Sequence, residues 1–209
     1  MIKIITVLKT GAEYTPNMVK TIQRMCERHI TMPFEFICYS DVDIDGITVR
    51  KLKHNWPGWY SKMEMYQEEG PCLFMDLDTI ITNNIDSLIQ QALKYEFIIL
   101  RDFYRGYRKH RESDLEAKQS SLVFWNMNVK PLYDDYIKNV RTVHNGDQEI
   151  VEQYFKDKED LVTYWQDIDS SIVSFKVHMK SRKANLKDTK IVIFHGKPRP
   201  WQQNIIKYE

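Results

Sequence analysis

Two aspartates separated by one residue close the apolar run Leu73-Phe74-Met75-Asp76-Leu77-Asp78-Thr79. The segment from Cys72 to Met75, bounded upstream by Gly70-Pro71, has the length and composition of a buried central strand, so both carboxylates fall at or just past that strand's end. In open α/β sheets this is where ligands bind. Residues i and i+2 of an extended chain point to one side, which would let Asp76 and Asp78 converge. At roughly 4 Å and an effective dielectric of ~20 the two charges repel by about 4 kcal/mol. A bound cation would remove that cost, and hard oxygen ligands suit Mg²⁺, Mn²⁺ or Ca²⁺. The alternative is a pair of solvated carboxylates that cap the strand end and the following turn.

The elements that must position these residues alternate along the chain. Ile2 to Leu8 reads as a strand, Thr15-Pro16 opens a helix with Met18, Val19, Ile22 and Met25 on one face, and Phe34 to Tyr39 reads as a second strand, together a βαβ opening. A short strand at Ile47 to Val49 follows, then a helix from about Ser61 to Glu68 and the strand that carries the aspartates. Beyond it come a helix near Ile85 to Leu93, strands at Glu96 to Leu100 and Ser121 to Trp125, a helix from Asp147 to Phe155, and a last strand at Lys190 to Phe194. Arg101 to Lys118 is dense in charge and aromatics and has little period. It reads as a long loop, a candidate lid, with a charged helix as the alternative.

Composition sets bounds. The 209 residues fit one domain without staples. The net charge of +1 provides no global field for nucleic acid or an anionic membrane. Cys26, Cys38 and Cys72 share no metal-ligand spacing and read as reduced core residues in a cytosol-like compartment. No apolar run approaches the ~18 residues of a membrane span, and the start is too short for a signal sequence. A soluble, cytoplasmic chain with no membrane span is expected, with residues 1–209 as a single domain.

The order K-x-E-x-Y at Lys62, FMDLDTIITNNIDSL at Phe74, QSSLVFWN at Gln119, GDQE at Gly146 and FHGKPRPW at Phe194 resembles the GT-A nucleotide-sugar glycosyltransferases, in particular the glycogenin-like and galactosyltransferase-like family 8. The resemblance implies an α/β GT-A fold, Rossmann-like, with a mixed central sheet flanked by helices. It implies a metal-dependent transfer of a sugar from a nucleotide sugar, most simply a UDP-sugar, to a glycan or glycoprotein acceptor, with retention. Family members hold Mn²⁺, with Mg²⁺ as the alternative, through the D-x-D and a histidine on the last strand; the matching positions are Asp76, Asp78 and His195. Leu77 lies between the two aspartates in the donor site. A compact GT-A domain of this kind also occurs in a large-virus capsid glycosyltransferase and in bacterial glycan loci; a viral chain would work in the host cytoplasm.

Further carry-over is residue by residue. Lys62 matches a lysine that contacts the donor phosphates or sugar, and Tyr14 an aromatic against the uracil, with Thr6, Val7 and Leu8 lining that pocket. Asp102 matches an acidic residue at the donor sugar. Asp147 and Gln148 match a pair beside the anomeric carbon. Ser120 falls in a sugar-side Asn-Ser-Gly that here reads Gln119-Ser120-Ser121. The closing H-x-x-G-x-x-K-P-W is compressed to His195-Gly196-Lys197-Pro198-Arg199-Pro200-Trp201, so Arg199 could share the role of Lys197 in binding diphosphate. Each has a plainer reading, such as a helix cap for Asp147, a turn for Gly196, or a surface residue for Tyr14, Lys62 and Asp102. Two other functions compete: a haloacid-dehalogenase-like Mg²⁺ phosphatase, whose first motif is also D-x-D after a strand, and a non-catalytic carbohydrate-binding module.

Overall fold

The computed structural model describes residues 1–104, 117–143 and 146–203. In chain order the elements are β1 (Ile2–Leu8), α1 (Pro16–His29), β2 (Phe34–Ser40), β3 (Thr48–Lys51), a 3₁₀ segment Gly58–Gln67, β4 (Cys72–Met75), β5 (Thr79–Ile81), α2 (Asp86–Ala92) and β6 (Phe97–Arg101). They continue as β7 (Lys118–Trp125), α3 (Lys130–Lys138), α4 (Asp147–Phe155), β8 (Val162–Tyr164), α5 (Trp165–Ile168), β9 (Ile172–Ser174) and β10 (Ile191–Ile193). The candidate lid lies mostly in residues 105–116, outside the described residues.

The central sheet has seven strands in the order β3-β2-β1-β4-β7-β6-β8. All its neighbouring pairs are parallel except those that β7 makes with β4 and β6. It is therefore a mixed sheet, as expected. Its inner strands β4, β6 and β7 are buried on both faces because helices cover both, whereas the edge strand β3 is largely exposed. Along β4 the period of two sends Leu73 and Met75 into a core beneath α1 and α2, and Cys72 and Phe74 into a second core beneath the 3₁₀ segment, α3 and α4. Val19, Ile22 and Met25 of α1 are buried against the first core, the face that its spacing predicts.

A second, three-stranded sheet departs from the sequence reading. β10 does not extend the main sheet; it pairs antiparallel with β5 and parallel with β9. Its register sets Ile193 beside Ser174, so the residues that follow β10 leave next to the end of β9. The three cysteines are buried and free, and among the described residues no helix is long and apolar enough to cross a membrane.

Candidate functional site

β4 ends at Met75 and the chain turns at once, the Thr79 N–H donating to the Asp76 carbonyl at 3.0 Å. The carboxylates are thus presented from a turn rather than from one extended face. β7 runs antiparallel beside β4, and the Asp76 N–H donates to the Ser121 carbonyl at 3.0 Å. That contact fixes the height of the aspartates relative to Ser120, whose hydroxyl donates to Asp147 Oδ2 at 2.5 Å. Asp147 is the first residue of α4, preceded by Gly146 at φ +67°, and its carboxylate is turned inward instead of capping the helix.

Lys62 joins these carboxylates. Its ammonium lies 2.7 Å from Asp76 Oδ1 and 3.7 Å from Asp147 Oδ2, above the Phe74 ring. Burial alone would lower its pKa, but Asp147 and then Asp76 overcome that and raise it, so Lys62 is a fixed cation at neutral pH. Asp147 acts through charge alone, and Asp76, the nearer group, adds a hydrogen bond to its charge. Burial raises the Asp147 carboxyl against the opposing pull of Lys62 and Ser120.

The K-x-E-x-Y pattern now has a physical reading. Lys62 reaches the carboxylates. Glu64, fully buried, accepts the Lys53 and His54 N–H groups at 2.7 and 2.9 Å and ties the preceding loop to the 3₁₀ segment. Tyr66 is buried beneath, and its hydroxyl has no hydrogen-bond partner among the described residues. Burial raises that phenol, with the charges of Asp147 and Asp76 adding to the rise.

Asp78 faces the other way. Its Oδ2 accepts the Tyr14 hydroxyl at 3.2 Å and pairs with the Arg199 guanidinium. Burial pushes its carboxyl up to about 7 with Asp76 adding to the rise, while Arg199 and Lys62 oppose it. Arg199 also pairs with Glu13 and lies over the Tyr14 ring, and Trp201 meets Tyr14 edge-on. Residues 199–201 therefore fold back over the start of α1.

Thr6, Val7 and Leu8 end β1, with Thr6 and Leu8 buried and Val7 half-buried; Thr6 Oγ1 has no partner among the described residues. Leu77 is buried in the first core. The Asp102 carboxylate accepts the Tyr104 N–H at 2.8 Å. Gln148 is half-buried, Gly196 takes φ +67°, and Lys197 is exposed.

His195 follows β10 and does not join the carboxylate pair in this arrangement. Its Nε2 lies 2.7 Å from Ser174 Oγ, and its ring stacks on Phe103 and meets Tyr104 edge-on. Burial, with Lys176 beside it, lowers the imidazole to about 4, so it is neutral at pH 7. Among the described residues no three His, Cys, Asp or Glu side chains are placed to hold a metal ion. The donors still fit a hard cation in part, since two carboxylates stand close enough to raise Asp78. The cations now on them are Lys62 and Arg199. Sequence reasoning missed Ser174 behind His195 and the Trp59 indole against Gly146. Only the i, i+3 spacing of Trp59 and Lys62 could have flagged the second.

No family model matches the chain, and no curated protein matches it. Solved structures do. LgtC, as an active-site mutant, superposes with a TM-score of 0.66 at 11% identity over 97% of this chain and 90% of that one. GlyE, a glycosyltransferase of Streptococcus pneumoniae TIGR4, gives 0.64 at 13% over 96% of this chain and 56% of that one. Mouse xyloside xylosyltransferase 1 gives 0.57 at 12% over 93% and 97%. This chain thus spans about half of GlyE and most of LgtC. The architecture is the GT-A fold, shared with glycosyltransferases.

Proposed function

We propose that residues 1–209 form a single GT-A catalytic domain of family 8 type, a hexosyltransferase that moves a sugar from a UDP-sugar to a glycan or glycoprotein with retention. The observation that carries this reading is the joining of Lys62, Asp76, Asp147 and Ser120 at the end of the central strands, with Asp78, Tyr14 and Arg199 on the adjoining side. Asp76 and Asp78 would hold Mn²⁺, or Mg²⁺, and His195 would become the third ligand after its ring leaves Ser174. When bound, the ion would neutralise charge that develops on the departing diphosphate.

The chain's own residues supply the rest. Lys62, a permanent cation, faces the developing negative charge, Arg199 brings a second cation from the Asp78 side, and the exposed Lys197 would supply a third. Thr6, Val7 and Leu8 offer the end of β1 to the nucleotide, and Tyr14 offers a ring face for the base once Arg199 lifts from it. Ser120 and Lys62 hold the Asp147 carboxylate in place, and Gln148 follows it at the sugar. Asp102 serves the sugar hydroxyls. The free cysteines suit a reducing compartment such as the cytoplasm. UDP tests the reading by mass action on stability: it should raise Tm strongly with Mn²⁺ and weakly with EDTA, and equal shifts would contradict a metal-bridged diphosphate.

A further inference from the structure

Trp59 and Lys62 belong to the same 3₁₀ segment. Side chains three residues apart in such a helix eclipse one another, so the Trp59 indole stands one turn along the face that carries Lys62 to Asp76 and Asp147. It is fixed from the other side by Gly146. A methyl group built on Gly146 would come within 2.3 Å of Trp59 Nε1 and 2.6 Å of Cδ1, so the indole rests against the backbone one residue before Asp147. Despite this anchoring Trp59 is 58% exposed. Trp56, Trp125 and Trp165 are buried and Trp201 is half-buried.

A large ring pinned along one edge and open elsewhere presents apolar area that nothing in the described chain covers. Tryptophan in that setting is a contact residue with a broad apolar face, its N–H edge being the one set against Gly146. Of the residues that follow Gly146, Asp147 is buried on Lys62 and Ser120, and half-buried Gln148 supplies an amide. That combination suits a ligand with an apolar C–H face and hydroxyls around its rim, which is a sugar ring. We propose that Trp59 is the acceptor platform. A carbohydrate ring stacks on its indole and so presents a hydroxyl toward the Lys62 and Asp147 end of the site. The inference rests on the transferase reading and adds the class of acceptor and the residue that receives it.

The test compares wild type with Trp59→Ala and Trp59→Phe in two readouts. The first is the ratio of transfer onto methyl glycosides of glucose, galactose, mannose and N-acetylglucosamine to hydrolysis of the same UDP-sugar by water. An aromatic stack predicts a fall of about tenfold in that ratio for Trp59→Ala, mostly through acceptor KM, and a smaller one for Trp59→Phe, which keeps a ring. The second is NMR of ¹⁵N-indole tryptophan, where the Trp59 signal, assigned by its loss in Trp59→Phe, should shift on titration with a methyl glycoside. An unchanged ratio in Trp59→Ala, or an indole signal that no glycoside moves, would overturn the platform. If wild type shows no hydrolysis yet the Trp59 signal shifts, the carbohydrate platform stands and the transferase reading falls.

Discussion

Replacing Lys62 with methionine removes the cation between two buried carboxylates while keeping most of the side chain's volume. At an effective dielectric of ~20 the contact with Asp76 at 2.7 Å is worth about 6 kcal/mol and that with Asp147 at 3.7 Å about 4 kcal/mol. Desolvation of the three charges offsets several kcal/mol, and breaking a buried pair by removing one partner costs a net 3–5 kcal/mol as a rough range. We therefore expect Lys62→Met to lose about 4 kcal/mol at pH 7.5, which at this chain length lowers Tm by about 8–16 °C. The pH dependence has a definite sign. Lys62 has a raised folded pKa, so its contribution is fully present below its unfolded value of 10.5 and is lost only as pH rises through the folded value. Asp147, already raised by burial, rises further without Lys62. An acid raised by folding binds its proton more tightly in the folded state, so the variant should regain stability as pH falls toward 5. Urea unfolding at pH 7.5 and pH 5.5 measures both effects. A loss under about 1 kcal/mol at pH 7.5, or an equal loss at both pH values, would refute the buried three-charge arrangement.

Asp78, pushed up to about 7, makes the unliganded wild type less stable as pH rises from its unfolded value of 3.8 toward 7. Asp78→Asn should flatten that slope in urea titrations at fixed pH. Tyr66→Phe removes a buried hydroxyl with no partner among the described residues and should raise unfolding free energy by about 1 kcal/mol; a loss of stability would show the hydroxyl bonded to the carboxylates. Gly146→Ala places a methyl 2.3 Å from Trp59 Nε1 at φ +67°. It should cost at least about 1 kcal/mol in thermal unfolding and lower transfer relative to donor hydrolysis.

Much of the frame was legible because long apolar runs carry their own periodicity. The βαβ opening, the strand before the aspartates and the helix that starts at Asp147 lie where the residue pattern puts them. Short elements were not. β5 and β9 span three residues each, too few for a period to show, so the second sheet had no signal of its own. Lys118 reads as the end of the loop, and Gln119 and Ser120 fall before the strand expected from Ser121, yet all three belong to β7, where Lys118 is buried against Glu159 and Ser120 against Asp147. Lys130–Lys138 passed unread as a helix, and the segment at Ser61 is 3₁₀ rather than α. The D-x-D marked the candidate site; the resemblance sets Lys62 and Tyr14 against the donor, whereas in the structure they contact Asp76 and Asp78. The side on which His195 settles depends on Ser174, a contact between strands of the small sheet that no spacing encodes.

The most direct measurement is turnover of a UDP-sugar panel in Mn²⁺, read as UDP and free sugar, alongside p-nitrophenyl phosphate as a phosphatase substrate. We expect slow, Mn²⁺-dependent hydrolysis of one UDP-sugar, lost in Asp78→Asn, with p-nitrophenyl phosphate untouched. Turnover of p-nitrophenyl phosphate that disappears in Asp76→Asn, with every UDP-sugar left intact, would contradict this expectation.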